Sequence, residues 1–325
     1  MTDFRWGVIG TGSIAKAFAK DLSFVDGHLI AGVGSRSLES AQAFSDQFGG
    51  NAFGSYEELV QADIDGVYVA TPHPFHSPNT LLALQNGKPV LCEKPFAVNA
   101  KESAAMIAKA QEKNLLLVEA MWSRFLPHYR LIKQLLQQEA LGEIKFLYAD
   151  HGQNLPAERH PRLHIPELAG GALLDLGIYP ISLSYLIFGK PQRITSRASF
   201  TSTGVDESTS IIFEYEANRQ ANLHTTLAIK TPCTATIIGT KATLEIQGSF
   251  YTPTSMTLKS ISGEVINYPK EYLGHGLREQ AIEFANLIKS GKKESDLMTL
   301  QDTQSIMETM DEIRAQIGLS YPFEN

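Results

Sequence analysis

Cysteine is scarce. The chain has two, Cys92 and Cys233, far apart and each in an apolar, strand-like context, so a disulfide framework or a cysteine-rich metal site is excluded and buried free thiols are expected. Basic residues are in the minority, 28 Lys and Arg against 35 Asp and Glu, and form no cluster. The resulting formal charge of −7 argues against nucleic acid or another polyanion as partner. No apolar run approaches the length that spans a bilayer, and Met1-Thr2-Asp3 leads into an apolar strand without a signal peptide; no membrane partner and a cytoplasmic location are expected. Repeats and low-complexity tracts are missing too. What is present is 325 residues, 43% of them hydrophobic, enough for two domains with real cores.

The first structured stretch, Phe4-Arg5-Trp6-Gly7-Val8-Ile9, is an apolar strand that runs into Gly10-Thr11-Gly12-Ser13-Ile14-Ala15 and a helical pattern. Gly10 lets the chain turn tightly, and Gly12, lacking a Cβ, lets the backbone approach a pyrophosphate seated on the N-terminus of the next helix. Ala15 replaces the third glycine of the G-x-G-x-x-G fingerprint, and its methyl still permits close helix–strand packing. A Gly-rich turn alone is weak evidence; its position after a strand, opening a βαβ unit, makes Gly10, Thr11, Gly12, Ser13 and Ile14 candidate dinucleotide ligands. An acid is missing where the second strand, Leu29-Ile30-Ala31-Gly32-Val33-Gly34, ends. NAD-binding chains place Asp or Glu there for the ribose 2′-hydroxyl. Here stand Ser35, Arg36 and Ser37, a guanidinium and two hydroxyls that suit a 2′-phosphate, unless Arg36 is only a solvated surface residue. NADP is expected over NAD.

Further apolar strands at 66–70, 89–92 and 115–118 are each followed by a distinctive segment: Thr71-Pro72-His73-Pro74-Phe75-His76, Glu93-Lys94-Pro95, and Glu119-Ala120-Met121-Trp122-Ser123-Arg124-Phe125. Helical stretches lie between, with Ser37 and Ser55 as caps of helices over 38–48 and from 56, and others near 79–85 and 99–112. In an open parallel sheet ligands bind outside the carboxyl ends of the strands, so these segments are expected to converge with the Gly10 turn on one crevice. From Trp122 the pattern changes. Helices are expected at 127–138 and 171–188, a strand at 144–151, and then alternating stretches at 193–200, 210–216, 222–229, 234–238, 243–246 and 256–260 that read as antiparallel strands. Two closing helices, 277–289 and 300–317, follow, the second with Thr299 and Asp302 as a cap pair. The fold expected is α/β plus α+β: a doubly wound parallel Rossmann sheet over 1–121, and over 122–325 a substrate-binding domain with a large, mostly antiparallel open sheet packed on helices.

Several of these stretches resemble the Gfo/Idh/MocA oxidoreductase family: Gly10-Thr11-Gly12, Thr71-Pro72-His73-Pro74-Phe75-His76, Glu93-Lys94-Pro95, and Gly170-Gly171-Ala172-Leu173-Leu174-Asp175-Leu176-Gly177-Ile178-Tyr179-Pro180. The match covers essentially the whole chain. Within the family, the segment from Glu119 to Phe125 together with Tyr179 is most similar to the dimeric dihydrodiol dehydrogenase and NADP-dependent D-xylose dehydrogenase branch; many other branches carry histidine where Tyr179 stands. The resemblance implies NADP(H)-linked oxidation of a secondary alcohol of a sugar or cyclic diol, and a homodimer formed through the open face of the second domain's sheet. It also implies a cis Lys94–Pro95 bond and a place for His76 beside the nicotinamide or substrate.

Hydride transfer from a secondary alcohol needs a base for the hydroxyl proton, since the cofactor supplies only the redox step. Lys94 and Tyr179 are the candidates. A phenol titrates near pH ~10 and becomes an effective base only where a neighbouring positive charge favours its phenolate. Tyr179 is therefore assigned as the proton-transfer residue and Lys94 as its electrostatic partner, with the reverse assignment open. Asp175, four residues before Tyr179, shares its face if the segment is helical and contacts substrate or orients the pair; Pro180 is expected to kink that helix. Thr71, Pro72, His76, Glu93 and Lys94 join the cofactor set, although Glu93 also reads as a structural carboxylate and His76 as a solvated loop residue. Trp122, Arg124 and Phe125 are expected to wall the substrate pocket, with Arg124 binding hydroxyls, or the two rings are core. Arg159, His160 and Arg162 lie in a polar loop that closes on substrate or is merely solvated. His73 with His76, and His160 with His164, invite a metal reading, but no carboxylate or cysteine completes a set, so no metal is expected. The alternative of another class is a non-catalytic NADP(H)-binding redox-sensing regulatory protein; the presence of both Lys94 and Tyr179 favours an enzyme.

Overall fold

The computed structural model describes residues 3–324; Met1 and Thr2, on which the reading of the leader rests, lie outside them. Strands and helices alternate through β1 (Phe4–Ile9), α1 (Ser13–Leu22), β2 (His28–Gly34), α2 (Leu38–Phe48), β3 (Asn51–Phe53), α3 (Tyr56–Val60), β4 (Gly66–Val69), α4 (His76–Gln85), β5 (Val90–Glu93), α5 (Ala100–Lys113) and β6 (Leu117–Ala120). The six strands form one sheet in the order β3-β2-β1-β4-β5-β6, with every pairing parallel. Strands β4, β5 and β6 are buried along their whole length, as a sheet covered on both faces requires. Ser37 and Ser55 cap α2 and α3 as expected, accepting from the N–H groups of Ser40 and Glu58, and Asn99 does the same for α5. The three-residue β3 is not foreseen. Strand β6 runs two residues past the apolar stretch, because the side chain of Glu119 is buried rather than solvated.

The chain continues through α6 (Pro127–Gln137), β7 (Ile144–Gly152), a π-helical turn at Leu173–Gly177, α7 (Ile178–Phe188), β8 (Arg193–Phe200), β9 (Asp206–Tyr215), β10 (Arg219–Thr226), β11 (Ala235–Gly239), β12 (Ala242–Ile246), β13 (Met256–Ser260), β14 (Val265–Tyr268), α8 (Arg278–Lys289) and α9 (Leu300–Ile317). The second sheet has eight strands in the order β14-β13-β12-β11-β7-β10-β9-β8. Only β7 and β10 pair in parallel. The single kinked helix expected over 171–188 is instead a π turn followed by α7. The break falls before Pro180, which occupies the first turn of α7, where proline is tolerated. Asp175 and Tyr179 are therefore not joined by one continuous α-helical turn. One segment, Pro166–Phe188, is long and apolar enough to cross a bilayer, contrary to the reading that no run approaches that length; 78% of its most apolar window is buried inside the protein, as in a core helix.

Two compact units result, one comprising the chain through Phe125 with Leu273–Gln304, the other Leu126–Tyr272 with the chain from Ser305 onward. This differs from a division into 1–121 and 122–325. The physical reason is Asp21, at the end of α1. Its buried carboxylate accepts hydrogen bonds from the backbone N–H groups of His275, Gly276 and Arg278 at 2.8–2.9 Å, capping the start of α8. Phe284 of α8 then packs on Phe4 and Trp6 of β1. Asp21→Ala leaves three backbone donors without an acceptor, and is expected to lower the unfolding free energy by about 2–4 kcal/mol. Urea denaturation measures it; a loss below about 0.5 kcal/mol would show that the carboxylate does not hold this segment.

Candidate active site

In the first unit, β1 and β4 are neighbours and the strand order reverses between them, which is where a doubly wound sheet opens a crevice. Gly10 turns there with φ +104°, and a Cβ on it would lie 2.8 Å from the Ala70 carbonyl oxygen. Gly12 is the N-cap of α1. Unlike Ser37, Ser55 and Asn99, it has no side chain to cap with, and α1 carries no acid in its first turn. A Cβ on Gly12 would meet nothing within 4 Å, so there is room beside the start of α1, a helix end whose first N–H groups have no side-chain cap. At the end of β2, Ser35 is buried and its hydroxyl accepts from Ser37 N at 3.4 Å, while Ser37 caps α2. Arg36 is exposed, its guanidinium 6.0 Å from the Phe75 ring, and among the described residues no carboxylate pairs with it.

The turn after β5 is braced from several sides. Glu93 is buried, accepts from the Tyr68 hydroxyl at one oxygen, and from Lys94 N at the other, 3.2 Å away. The Lys94–Pro95 peptide is cis. His76, 1% exposed, faces two main-chain carbonyls, with Nδ1 2.8 Å from Pro95 O and Nε2 2.8 Å from Thr71 O. It thus bridges the turns after β4 and β5. A neutral ring donates to one of these carbonyls and a protonated ring to both. Behind them Glu119, at the end of β6, accepts from the Thr303 hydroxyl at 2.8 Å. Burial pushes its carboxyl up to about 7, opposed by Thr303, the Arg124 guanidinium and the Phe96 N–H.

In the second unit the glycines before the π turn make room for specific atoms. A Cβ on Gly170 would lie 2.5 Å from Leu163 O, and one on Gly171 (φ +112°) would collide with the Asp206 carboxylate. That carboxylate, fully buried, accepts from Leu173 N and from the Thr209 hydroxyl, both at 2.8 Å, and so caps the turn. Burial raises the Asp206 carboxyl to about 7 against those two donors. Asp175, inside the π turn, is ion-paired with Arg162 at 3.0 Å. Tyr179 is 5% exposed and belongs to a ring cluster: its centroid is 5.1 Å from His151 and 4.7 Å from Tyr251, and His151 stacks on Tyr251 at 4.0 Å. His151 Nδ1 faces Leu176 O at 3.1 Å and Nε2 faces the Gln153 amide nitrogen at 2.9 Å, partners that fit a neutral ring protonated on Nδ1.

Residues 4–121 match the family described as "Oxidoreductase family, NAD-binding Rossmann fold", and residues 129–245 match the GFO/IDH/MocA C-terminal domain. A trans-1,2-dihydrobenzene-1,2-diol dehydrogenase of Xenopus laevis is 39% identical over 332 residues, covering 98% of this chain and 99% of that protein. The protein of the same name from Homo sapiens is 31% identical, with 98% of each chain covered. The chain belongs to the Gfo/Idh/MocA oxidoreductase family. Solved structures repeat the fold. KijD10, a 3-ketoreductase from Actinomadura kijaniata in complex with NADP and TDP-benzene, aligns with a TM-score of 0.85 at 24% identity over 97% of this chain and 98% of its own. The aldose-aldose oxidoreductase from Caulobacter crescentus complexed with glycerol aligns at 0.87, 21% identity and 97% of each chain.

Within this Gfo/Idh/MocA chain the first unit gathers Gly10 to Ile14, Thr71, Pro72, His76, Glu93 and Lys94 at the carboxyl ends of β1, β4 and β5. Both carboxylate oxygens of Glu93 and both ring nitrogens of His76 have partners within the protein, contacts that shape the turns. Three expected pocket residues have partners inside the first unit. Arg124, read as a ligand for substrate hydroxyls, is buried and ion-paired with Asp302 of α9 at 2.8 Å. Asp302 supplies only its N–H to the Thr299 hydroxyl and keeps its carboxylate for that arginine. Phe125 is fully buried core, and Trp122 stacks on His275 at 5.0 Å. His164, weighed for a metal, faces Leu155 O at 2.8 Å. Sequence reasoning misses Asp206, His151, Gln153 and Tyr251, for which no motif spacing exists.

The raised carboxyls of Glu119 and Asp206 have a signed consequence. Below about pH 4 both are protonated in folded and unfolded chains, and nothing is lost. As pH rises toward the folded values near 7, the unfolded chain ionises first and folding loses stability; above that range the loss is constant. Relative to wild type, Glu119→Gln and Asp206→Asn are therefore expected to gain on the order of 3 kcal/mol each between about pH 4 and 7. Urea titrations across that range check this, and a pH-independent difference would contradict it.

Proposed function

We propose that this protein is an NADP(H)-dependent dehydrogenase that moves hydride between the nicotinamide and a secondary alcohol of a sugar or cyclic trans-diol. The observation that carries the reading is the start of α1 at Gly12, a helix N-terminus with no capping side chain that opens on free space at the switch point of the sheet. Family membership and the dihydrodiol dehydrogenase relatives support the substrate class. Gly10 to Ile14 would hold the pyrophosphate, and Arg36, with no carboxylate of its own, the 2′-phosphate. When bound, NADP⁺ supplies the hydride acceptor; the substrate's C–H electrons leave with the hydride and its O–H proton must go to a protein group.

Tyr179 is proposed as the group that takes this proton, with Lys94 as its electrostatic partner and ligand of the substrate hydroxyl, and Asp175, held by Arg162, as the residue that orients the substrate. A homodimer through the face of the eight-stranded sheet belongs to the same reading, supported by the exposed Tyr148 and Ile212 on β7 and β9. So does a cytoplasmic location, supported by two buried free thiols.

Following nicotinamide absorbance over a panel of sugars and diols tests the reading. Turnover with NADP⁺ is expected. Tyr179→Phe and Lys94→Ala should each lower kcat by roughly 10²-fold or more, and Arg36→Ala should shift the ratio of kcat/KM for NADP over NAD by about 10-fold or more toward NAD. Near-normal turnover in Tyr179→Phe sinks its role. NADPH binding without turnover on any substrate returns the protein to a redox sensor.

A further inference from the structure

The second unit contains a polar cavity of about 450 Å³, the size of a small-ligand site, whose lining includes Gln153, Asn154, Arg159, Lys230, Ser249 and Tyr251. Its frame is fixed. The Asp150 carboxylate accepts from Cys233 N at 2.9 Å and Thr234 N at 3.1 Å, and the Thr231 hydroxyl accepts from Gly152 N at 2.8 Å. These bonds pin the segment 231–234 to the end of β7, with Lys230 next to the pinned residues and Arg159 on the loop that leaves β7. No carboxylate lines the cavity, and among the described residues neither Arg159 nor Lys230 has an ion-pair partner. One wall continues to the proposed proton-transfer residue. Gln153 Nε2 donates to the Tyr251 hydroxyl at 3.0 Å and lies beside His151, and the Tyr251 ring packs on Tyr179.

Arg159 and Lys230 are exposed at the mouth of the cavity, with several amide and hydroxyl groups beside them; two cations at one opening, in a chain of net charge −7, favour a ligand that is itself anionic. We infer that the substrate is an anionic carbohydrate: its reacting carbinol lies at the Tyr179 end, and a carboxylate or phosphate group is held between Arg159 and Lys230. The inference rests on the dehydrogenase reading above and narrows its sugar branch to substrates that carry an anionic group.

Matched substrates test it: glucose, glucuronate and glucose 6-phosphate, assayed with NADP⁺ on wild type and on the double variant Arg159→Gln/Lys230→Gln. In wild type one of the charged sugars should exceed glucose in kcat/KM by about 10-fold or more, and that ratio should fall toward one in the double variant and in wild type at high salt. Which of the two charged sugars is preferred identifies the anion as carboxylate or phosphate. Equal kcat/KM for charged and neutral sugars, or a ratio that the double variant leaves unchanged, overturns the anionic site while the dehydrogenase reading survives. If nothing in the panel is turned over, calorimetric titration with glucuronate and with inorganic phosphate decides separately. Binding that the double variant abolishes upholds the anion site without the dehydrogenase; binding that it leaves intact, or no binding in wild type, removes the site.

Discussion

The working ends of both sheets depend on where unpaired backbone N–H groups find acceptors. A chain that leaves a strand or enters a helix always presents such donors, and burying them unsatisfied costs about as much as a lost hydrogen bond each. In this protein four carboxylates, three of them buried and that of Asp150 half-buried, take several of them. Asp21 accepts three at the start of α8, Glu93 accepts Lys94 N, Asp150 accepts Cys233 N and Thr234 N, and Asp206 accepts Leu173 N. At the start of α1, by contrast, Gly12 has no side-chain acceptor, and a Cβ on it would meet nothing within 4 Å. Helices α4, α6 and α7 also begin without a side-chain cap; what sets α1 apart is that its glycine start follows the first strand at the switch point of the sheet, the position at which a doubly wound fold seats an anion.

The same carboxylates explain the glycines. Gly171 has its positive φ because the Asp206 side chain occupies the volume its Cβ would need, and Asp206 is there to cap the π turn that carries Asp175 toward Tyr179. The price is a carboxyl held in a dry site and pushed up to about 7, a cost to stability that buys a fixed start for the helix bearing the proposed proton-transfer residue. Glu119 stands in a comparable position behind the Lys94 turn, with Thr303 and Arg124 offsetting part of the desolvation. The stability of the fold and the geometry of its turns are thus coupled through the same groups.

How much of this is legible in the sequence follows from the range of each interaction. Caps three residues from their donors, as at Ser37 and Ser55, are readable because spacing and geometry coincide within one turn. The Gly10 and Glu93-Lys94-Pro95 turns are readable for the same reason. Asp21 acting on residues more than 250 positions away, or Arg124 reaching Asp302 across 178, leaves no local trace. That is why Arg124 reads as a pocket residue and the segment 273–304 as part of the second unit. Glu119 is misread by its chemistry: a charged residue ends an apolar run on paper, but in the fold the strand continues and the charge is buried.

The two sites therefore differ in what can vary. The turns of the first unit proposed to hold the cofactor are contiguous motifs, each doing several jobs at once. His76 joins two turns, and Glu93 ties one of them to Tyr68, so a change at either disturbs more than one segment. The cavity of the second unit is assembled from single residues on separate segments: Gln153 after β7, Arg159 on its loop, Lys230 beyond β10, Tyr251 beyond β12. The adjoining backbone at Gly152, Cys233 and Thr234 is pinned by Asp150 and Thr231, which do not line the opening. Side chains at the rim can then change without moving the frame, and charge selectivity is the property such a rim can acquire or lose by single substitutions while the hydride chemistry stays where it is.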